Sequence, residues 1–185
     1  MSLKTLITGR RSPSDSRSRK VVVLIECHLN QNARDPGAAR YPAINHELLD
    51  LLRDASAGLL QIACPEMHCL GLARERPRGV SLHEAMDTPE SRAKCRDLAR
   101  DLTDRIEDYI RNGVEVIAIL GGDVESPGCA VHETPTDLAP QSGIFMQEFG
   151  AELRSRGLQV PFRGIRESRR DAFESDLGWL TERLG

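Results

Sequence analysis

Four short apolar runs alternate along the chain with longer segments in which apolar residues recur every three or four positions. The runs cover residues 21–25, 59–63, 114–120 and 158–161. The first of these runs is continuous and rich in β-branched residues, which is typical of a strand covered on both faces in a parallel sheet. The segments between them predict amphipathic helices. This alternation predicts an α/β fold, a single-domain Rossmann-like three-layer sandwich whose mostly parallel sheet has about four strands.

Residues at helix ends sharpen the prediction for several helices. Thr88 is a typical N-cap, Pro89 suits the first helical position, and Gly113 ends the same helix. The proline of the sequence Cys64-Pro65 fixes φ and lacks an N–H, so we expect a turn there rather than a helix. Residues 67–78 are too irregular to predict a regular element. Further helices are predicted from Tyr41-Pro42, at 81–86, at about 140–156, and from Ser168 with Asp171 as capping-box partner.

Length and charge narrow the classes of function. A chain of 185 residues suffices for one domain with a core, here expected at 20–185. Residues 1–19 form a basic, Ser-rich leader that we expect to be flexible, without the apolar stretch of a secretory signal. The net charge of −3 argues against a nucleic-acid or membrane-surface partner. The oligomeric state is left open.

Cysteine usage points to a reducing compartment, which we take to be the cytoplasm. The chain has five cysteines, an odd number, and no secretory signal. Cys27, Cys64 and Cys129 each follow a predicted strand closely, so they are expected at the sheet edge where α/β proteins bind ligands. Cys69 and Cys95 do not share that position, and Cys95 is expected in the core because it lies on the apolar face of its helix.

Three converging thiolates suit a soft metal or an iron–sulfur cluster. A structural zinc site normally has four ligands with close pairs such as C-x-x-C, and no two of these cysteines have that spacing. From spacing alone, three unconnected thiols are an equally good interpretation.

Two short motifs lie around these cysteines. One is Cys64-Pro65-Glu66 and the other is Ser-Pro-Gly-Cys at 126–129, with Arg-Pro-Arg at 76–78 between them. In this order, and over residues 20–166, the chain resembles the 2-thiouracil desulfidase family. Members of that family are small single-domain enzymes that bind a 4Fe–4S cluster through three cysteines. They remove sulfur from thiolated nucleobases without net redox change.

The resemblance implies a role for each matching residue. Cys27, Cys64 and Cys129 would hold the 4Fe–4S cluster, and Glu66 and Ser126 would form the catalytic pair. The first loop departs from the family pattern, because residues 28–33 replace the usual leucine- and glycine-containing segment. The chain therefore resembles a divergent, desulfidase-related branch.

Other polar residues near the motifs have two interpretations each. Asn30, Arg74 and Arg78 are candidate contacts for a heterocyclic or anionic substrate, although spaced arginines are also common as solvent-facing charge. His28 and His132 lie close to proposed ligands and are either donors supporting those ligands or solvated loop residues. The remaining histidine of interest, His46, lies in the first helix and is expected at the surface.

Three hypotheses follow for the function. The first is a cluster-dependent desulfidase acting on a small thiolated substrate, with Glu66 as general acid/base and Ser126 positioning or relaying a proton. The second is a non-catalytic iron–sulfur protein, either a sulfur carrier or a sensor. The third is a zinc-bound or metal-free binding module. The carboxylate of Glu66 beside a predicted ligand favours the first hypothesis, since a carrier does not need it.

Overall fold

Four parallel strands form the centre of the molecule in the computed structural model, which describes residues 15–133 and 138–185. Of the predicted leader, residues 1–14 lie outside the described part. The strand order is β2-β1-β3-β4 and every pairing is parallel. The strands are β1 (Lys20–Ile25), β2 (Gly58–Ile62), β3 (Glu115–Gly121) and β4 (Phe162–Gly164). The predicted α/β sandwich with a four-stranded sheet is therefore confirmed.

Across the described residues, seven α-helices and a short 3₁₀-helix at Gln31–Ala33 connect and cover the strands. The helices are α1 (Glu26–Leu29), α2 (His46–Asp54), α3 (Pro65–Leu70), α4 (Leu82–Met86), α5 (Pro89–Arg111), α6 (Ile144–Ser155) and α7 (Arg170–Leu184). None of the helices in this part of the chain has the length and apolar character needed to cross a bilayer.

The central strands divide their side chains between two apolar cores. Val23 of β1 belongs to the core under α5 and α6, together with Ile106 and Phe145. The next residue, Leu24, belongs to the core under α2 and α7, together with Phe173. Successive side chains of a strand point to opposite faces, so a strand covered on both sides must be apolar throughout. This is why residues 21–25 of β1 and 116–120 of β3 are apolar without a break.

The sequence correctly predicted where α4 and α5 begin. The Thr88 hydroxyl accepts a hydrogen bond from the N–H of Ser91 at 3.2 Å, and Pro89 opens α5 as predicted. The predicted turn at 81–86 is α4, whose N-cap Ser81 forms a reciprocal capping box with Glu84. Each cap satisfies amide groups that a helix start leaves without an intrahelical partner.

The prediction that the Cys64-Pro65 turn excludes a helix is wrong. Pro65 is the first residue of α3, and Cys64 is its N-cap. The first N–H groups of a helix have no intrahelical partner, so a proline at that position costs no hydrogen bond and already has a helical φ. Residues 67–70, predicted as irregular, belong to this helix.

Two helices begin later than predicted because loop contacts hold the preceding residues. Helix α2 begins four residues after Pro42, where Asn45 accepts a hydrogen bond from the N–H of Leu48 at 3.1 Å. Helix α6 begins at Ile144 rather than near 140. The residue before it, Gly143, donates its N–H to the carbonyl of Ala130 at 2.9 Å.

The two predictions at the end of the chain also need correction. Ser168 does not cap α7 with Asp171; its N–H donates instead to Oδ2 of Asp123 at 3.1 Å, and the helix begins at Arg170. The fourth strand lies at 162–164 rather than 158–161. Pro161 has no N–H for the ladder, so it only accepts a hydrogen bond, from the N–H of Ile119 at 2.8 Å.

Candidate active site

Three thiols line one cavity beyond the carboxyl ends of β1, β2 and β3. The cavity has a volume of about 260 Å³. Cys27, Cys64 and Cys129 all border it, and so do Glu66 and Ser126. The structure thus brings together the five residues that the resemblance assigns to cluster binding and catalysis.

Each thiol reaches the cavity by a different local route. Cys27 lies in α1, directly after β1, and Cys64 lies two residues beyond β2 as the N-cap of α3. The N–H of Cys64 donates to Oε2 of Glu26 at 2.9 Å, which ties the ends of β1 and β2 together. Cys129 lies further from its strand, on a loop that returns to it: the Cys129 carbonyl accepts the N–H of Gly122 at 2.8 Å.

Glycines allow the Cys129 loop to pack this closely. A Cβ atom at Gly122 would lie 2.7 Å from Sγ of Cys129, and one at Gly143 would lie 2.5 Å from the carbonyl oxygen of Gly128. A Cβ at Gly128 itself would lie 3.0 Å from Cγ of Glu66. The approach at Gly143, against backbone atoms, is one that only glycine permits, and the contact at Gly128 is tight.

Glu66 and Ser126 form a hydrogen-bonded pair beside Cys129. The Ser126 hydroxyl donates to Oε1 of Glu66 at 2.8 Å, and the N–H of Gly128 donates to the same oxygen at 3.2 Å. The Ser126 oxygen accepts the N–H of Cys129 at 3.1 Å and lies 3.1 Å from its Sγ atom. The buried carboxylate is thus fixed in orientation, next to a hydroxyl and a thiol.

Arg74 lies at the site, whereas the other two candidate substrate contacts do not. Arg74 is 2% exposed, and its Nη2 lies 3.4 Å from Sγ of Cys64 while its Nε lies 3.5 Å from Oε2 of Glu66. Arg78 is exposed and does not line the cavity. Asn30 is also exposed and outside the cavity lining; its side chain accepts the N–H of Asn32 at the start of the 3₁₀-helix.

Burial makes all three cavity thiols weak acids. Burial raises the pKa of Cys27 to about 12, although the Arg34 charge opposes the shift. Burial also raises the pKa of Cys64, and it raises that of Cys129 well above the usual thiol range, with the nearby Cys27 adding to the effect. Burial therefore disfavours the thiolate form of all three, and a bound metal would favour it by supplying positive charge.

The three cavity thiols are the donor type that iron–sulfur clusters use. Within the described residues, no three His, Cys, Asp or Glu side chains form a ligand set for one metal ion. In a cubane cluster each cysteine binds a different iron, so the thiolates surround the cluster instead of meeting at one point. Cys27, Cys64 and Cys129 border one shared cavity.

A buried network that the sequence did not reveal holds the Cys27 loop. His28 is fully buried, with Nδ1 2.8 Å from Oε1 of Glu167 and Nε2 3.2 Å from the carbonyl oxygen of Gly121. Glu167 also accepts hydrogen bonds from Arg34 at 2.5 Å and from Asn45 at 2.7 Å. His28 is therefore neither solvated nor at the surface, and its carboxylate partner lies 139 residues away in the chain.

Glu167 remains ionised at the centre of this network. Burial raises the pKa of Glu167, but the hydrogen bond from His28, the charges of His28 and Arg34, and the Asn45 amide outweigh burial. The net pKa is lower than usual for a glutamate. The other two histidines differ from His28: His132 is partly buried with Nε2 3.1 Å from the carbonyl oxygen of Val124, and His46 is exposed as predicted.

Three buried polar atoms of cavity-lining residues have no hydrogen-bond partner among the described residues. They are Nε of Arg34, Nε of Arg74 and Oδ1 of Asp123. Buried polar atoms normally have a partner, so these mark positions for a ligand or an ordered water. Two donors and one acceptor beside the cavity therefore have unused hydrogen-bonding capacity among the described residues.

Comparison with known proteins finds a distant relative. Over 144 residues the chain is 27% identical to the uncharacterized protein MJ0003 of Methanocaldococcus jannaschii. The alignment covers 78% of this chain and 84% of that protein. No protein-family model and no solved structure matches the chain.

Proposed function

We propose that this protein is an iron–sulfur-dependent desulfidase that removes sulfur from a thiolated nucleobase or a similar thioamide-type molecule. The reaction is hydrolytic and non-redox: the C=S group and water give C=O and hydrosulfide. The observation that carries the proposal is the 2.8 Å hydrogen bond between Glu66 and Ser126, beside three thiols that border one cavity. We place the reaction in the reducing cytoplasm, because the cavity thiols need to remain unoxidised.

Cys27, Cys64 and Cys129 are the residues that would hold a 4Fe–4S cluster. Three protein ligands leave the fourth iron without a cysteine, and when bound the cluster would supply a Lewis acid for the sulfur of the substrate. The guanidinium of Arg74 supports the Cys64 thiolate from 3.4 Å.

Glu66 supplies the acid/base chemistry in this proposal. Its Oε1 atom is held by the Ser126 hydroxyl and the Gly128 N–H, whereas Oε2 accepts no hydrogen bond among the described residues. Oε2 is therefore the oxygen that takes a proton from the attacking water and returns it to the departing sulfur or the ring nitrogen. The Nε atom of Arg74 lies 3.5 Å from Oε2 and places a positive charge beside it.

The unpartnered atoms suggest how the substrate ring is oriented. A thiouracil-like ring presents N–H donors next to carbonyl acceptors along one edge. Asp123 Oδ1 suits a ring N–H, and Arg34 Nε suits a ring carbonyl. In this arrangement the substrate makes the hydrogen bonds that the two side chains lack.

Anaerobic purification followed by a sulfide-release assay tests the proposal. The wild-type protein should contain iron and sulfide, show cluster absorption, and release sulfide from 2-thiouracil or a related thioamide. Glu66→Gln should retain the cluster and lose about 100-fold or more in rate, because it removes the ionisable group. Ser126→Ala should also retain the cluster, with a smaller or comparable loss.

A matched control separates the role of Glu66 from a general charge effect. Glu75→Gln makes the same change at an exposed position in the neighbouring loop and should leave the rate unchanged. Wild-type protein that holds a full cluster but releases no sulfide from any thioamide would refute catalysis and favour a sulfur carrier or sensor. Protein that binds zinc or no metal would refute the cluster.

A further inference from the structure

Two cysteines that the proposed reaction does not use lie side by side between α3 and α5. The Sγ atoms of Cys69 and Cys95 are 3.8 Å apart, and both thiols are free. Cys95 is fully buried, whereas Cys69 is only partly buried. Sulfur atoms in a disulfide lie about 2.05 Å apart, so a shift of roughly 2 Å would join these two.

The two thiols differ in acidity. A hydrogen bond from Cys95 lowers the pKa of Cys69; burial opposes this effect, and the nearby Lys94 ammonium adds to it. The same hydrogen bond, together with burial, raises the pKa of Cys95. The thiolate is the attacking species in thiol–disulfide exchange. Cys69, more acidic and more accessible, is therefore suited to attack, and Cys95 is suited to complete the exchange.

We propose that Cys69 and Cys95 form a reversible dithiol–disulfide site that exchanges with low-molecular-weight disulfides such as glutathione disulfide. The Cys69 thiolate attacks one sulfur of the reagent, whose S–S bond breaks and releases one thiol. Cys95 loses its proton and attacks Sγ of Cys69, and the mixed disulfide breaks to release the second thiol. The protein gives up two protons and two electrons, and the reagent becomes two thiols.

The position of Cys69 connects this chemistry to the candidate active site. Cys69 lies three residues after Glu66 on the six-residue helix α3, and Cys64 is the N-cap of that helix. Joining Cys69 to α5 pulls on the helix that orients Glu66 toward Ser126. The exchange itself needs neither a cluster nor desulfidase activity, so its test stands apart from that of the proposed function.

Peptide mapping tests the exchange on the full-length protein as purified anaerobically. The protein is incubated with glutathione disulfide, unfolded in urea with N-ethylmaleimide, and cleaved after glutamate. Peptide 67–75 then contains Cys69 without Cys64, and peptide 91–107 contains Cys95 as its only cysteine. We expect a linked 67–75/91–107 species in the treated sample, which dithiothreitol separates into its two peptides.

Two variants define the order of attack. Cys69→Ser should abolish the linked species and leave Cys95 alkylated by N-ethylmaleimide. Cys95→Ala should trap glutathione on Cys69, because the second thiol is missing. The wild-type map decides the proposal without either variant. Glutathione accumulating on Cys69 with no linked peptide would overturn it, as would full alkylation of both thiols after treatment.

Discussion

Replacing Gly143 by alanine tests the packing that brings Cys129 to the cavity. A Cβ atom there would lie 2.5 Å from the carbonyl carbon and oxygen of Gly128 and 2.6 Å from the Cys129 nitrogen. Carbon contacts normally lie at about 3.5–4.0 Å, so the loop must move by roughly 1 Å. That shift is enough to break the 3.2 Å hydrogen bond from Gly128 to Glu66.

The expected loss combines overpacking with a broken hydrogen bond. Overpacking costs about 1–3 kcal/mol, and a lost hydrogen bond to a charged group costs about 1.5–3 kcal/mol. Urea unfolding followed by circular dichroism should therefore show a free energy of unfolding lower by about 2.5–6 kcal/mol for Gly143→Ala. The variant should also bind less iron, because the displaced loop carries Cys129.

Gly178→Ala is the matched control for this experiment. Gly178 lies within α7, and a Cβ atom added there would meet no atom within 4 Å. The same substitution there should leave stability unchanged or raise it by about 0.5–1 kcal/mol, because alanine favours helix. If the free energy of unfolding of Gly143→Ala stayed within about 0.5 kcal/mol of the wild-type value, the inferred close contact between Gly143 and the Gly128–Cys129 backbone would be refuted.

Three further results are expected. Cys64→Ser should lose the iron that Cys69→Ser retains; equal loss from both would make Cys69 a ligand. Glu167→Gln should lower the free energy of unfolding by about 3–5 kcal/mol, because it leaves the charge of Arg34 without its buried partner. The pKa of Glu167 is lower in the folded state than in the unfolded chain. The stabilisation by its carboxylate is therefore fully present above about pH 4.3 and is lost as the pH falls through the folded-state pKa. Between about pH 3 and 7, the free energy of unfolding should therefore fall less with decreasing pH in Glu167→Gln than in the wild type. An equal fall in both proteins would mean that other groups cause the acid sensitivity.

The local sequence was sufficient to predict the bounds of those strands and helices that depend only on their own residues. The apolar runs of β1 and β3 and the capping residues of α5 placed those elements within a residue or two. The start of α7 was misplaced for the opposite reason. The N–H of Ser168 is taken by Asp123, 45 positions earlier in the chain, and no local signal could show that competition.

The convergence of the three thiols also followed from the sequence, because parallel strands end at one edge of a sheet. The residues that contact and position each thiol could not be predicted from the sequence. Glu167 contacts His28 across 139 positions, and Arg74, for which the sequence left substrate binding and solvent-facing charge both open, lies 3.4 Å from Sγ of Cys64. The same holds for Cys69 and Cys95, which lie on separate helices and meet only when those helices pack.

By itself the sequence determined the α/β fold and the residues that its strands deliver to one edge, since both depend on hydrophobic periodicity and chain direction. Only the tertiary structure decided which polar side chains are buried together, which glycines allow close approach, and which atoms remain without a partner. These features depend on distances between segments far apart in the chain. Hydrophobic periodicity records which face of an element is covered, but it carries no information about which residue covers it.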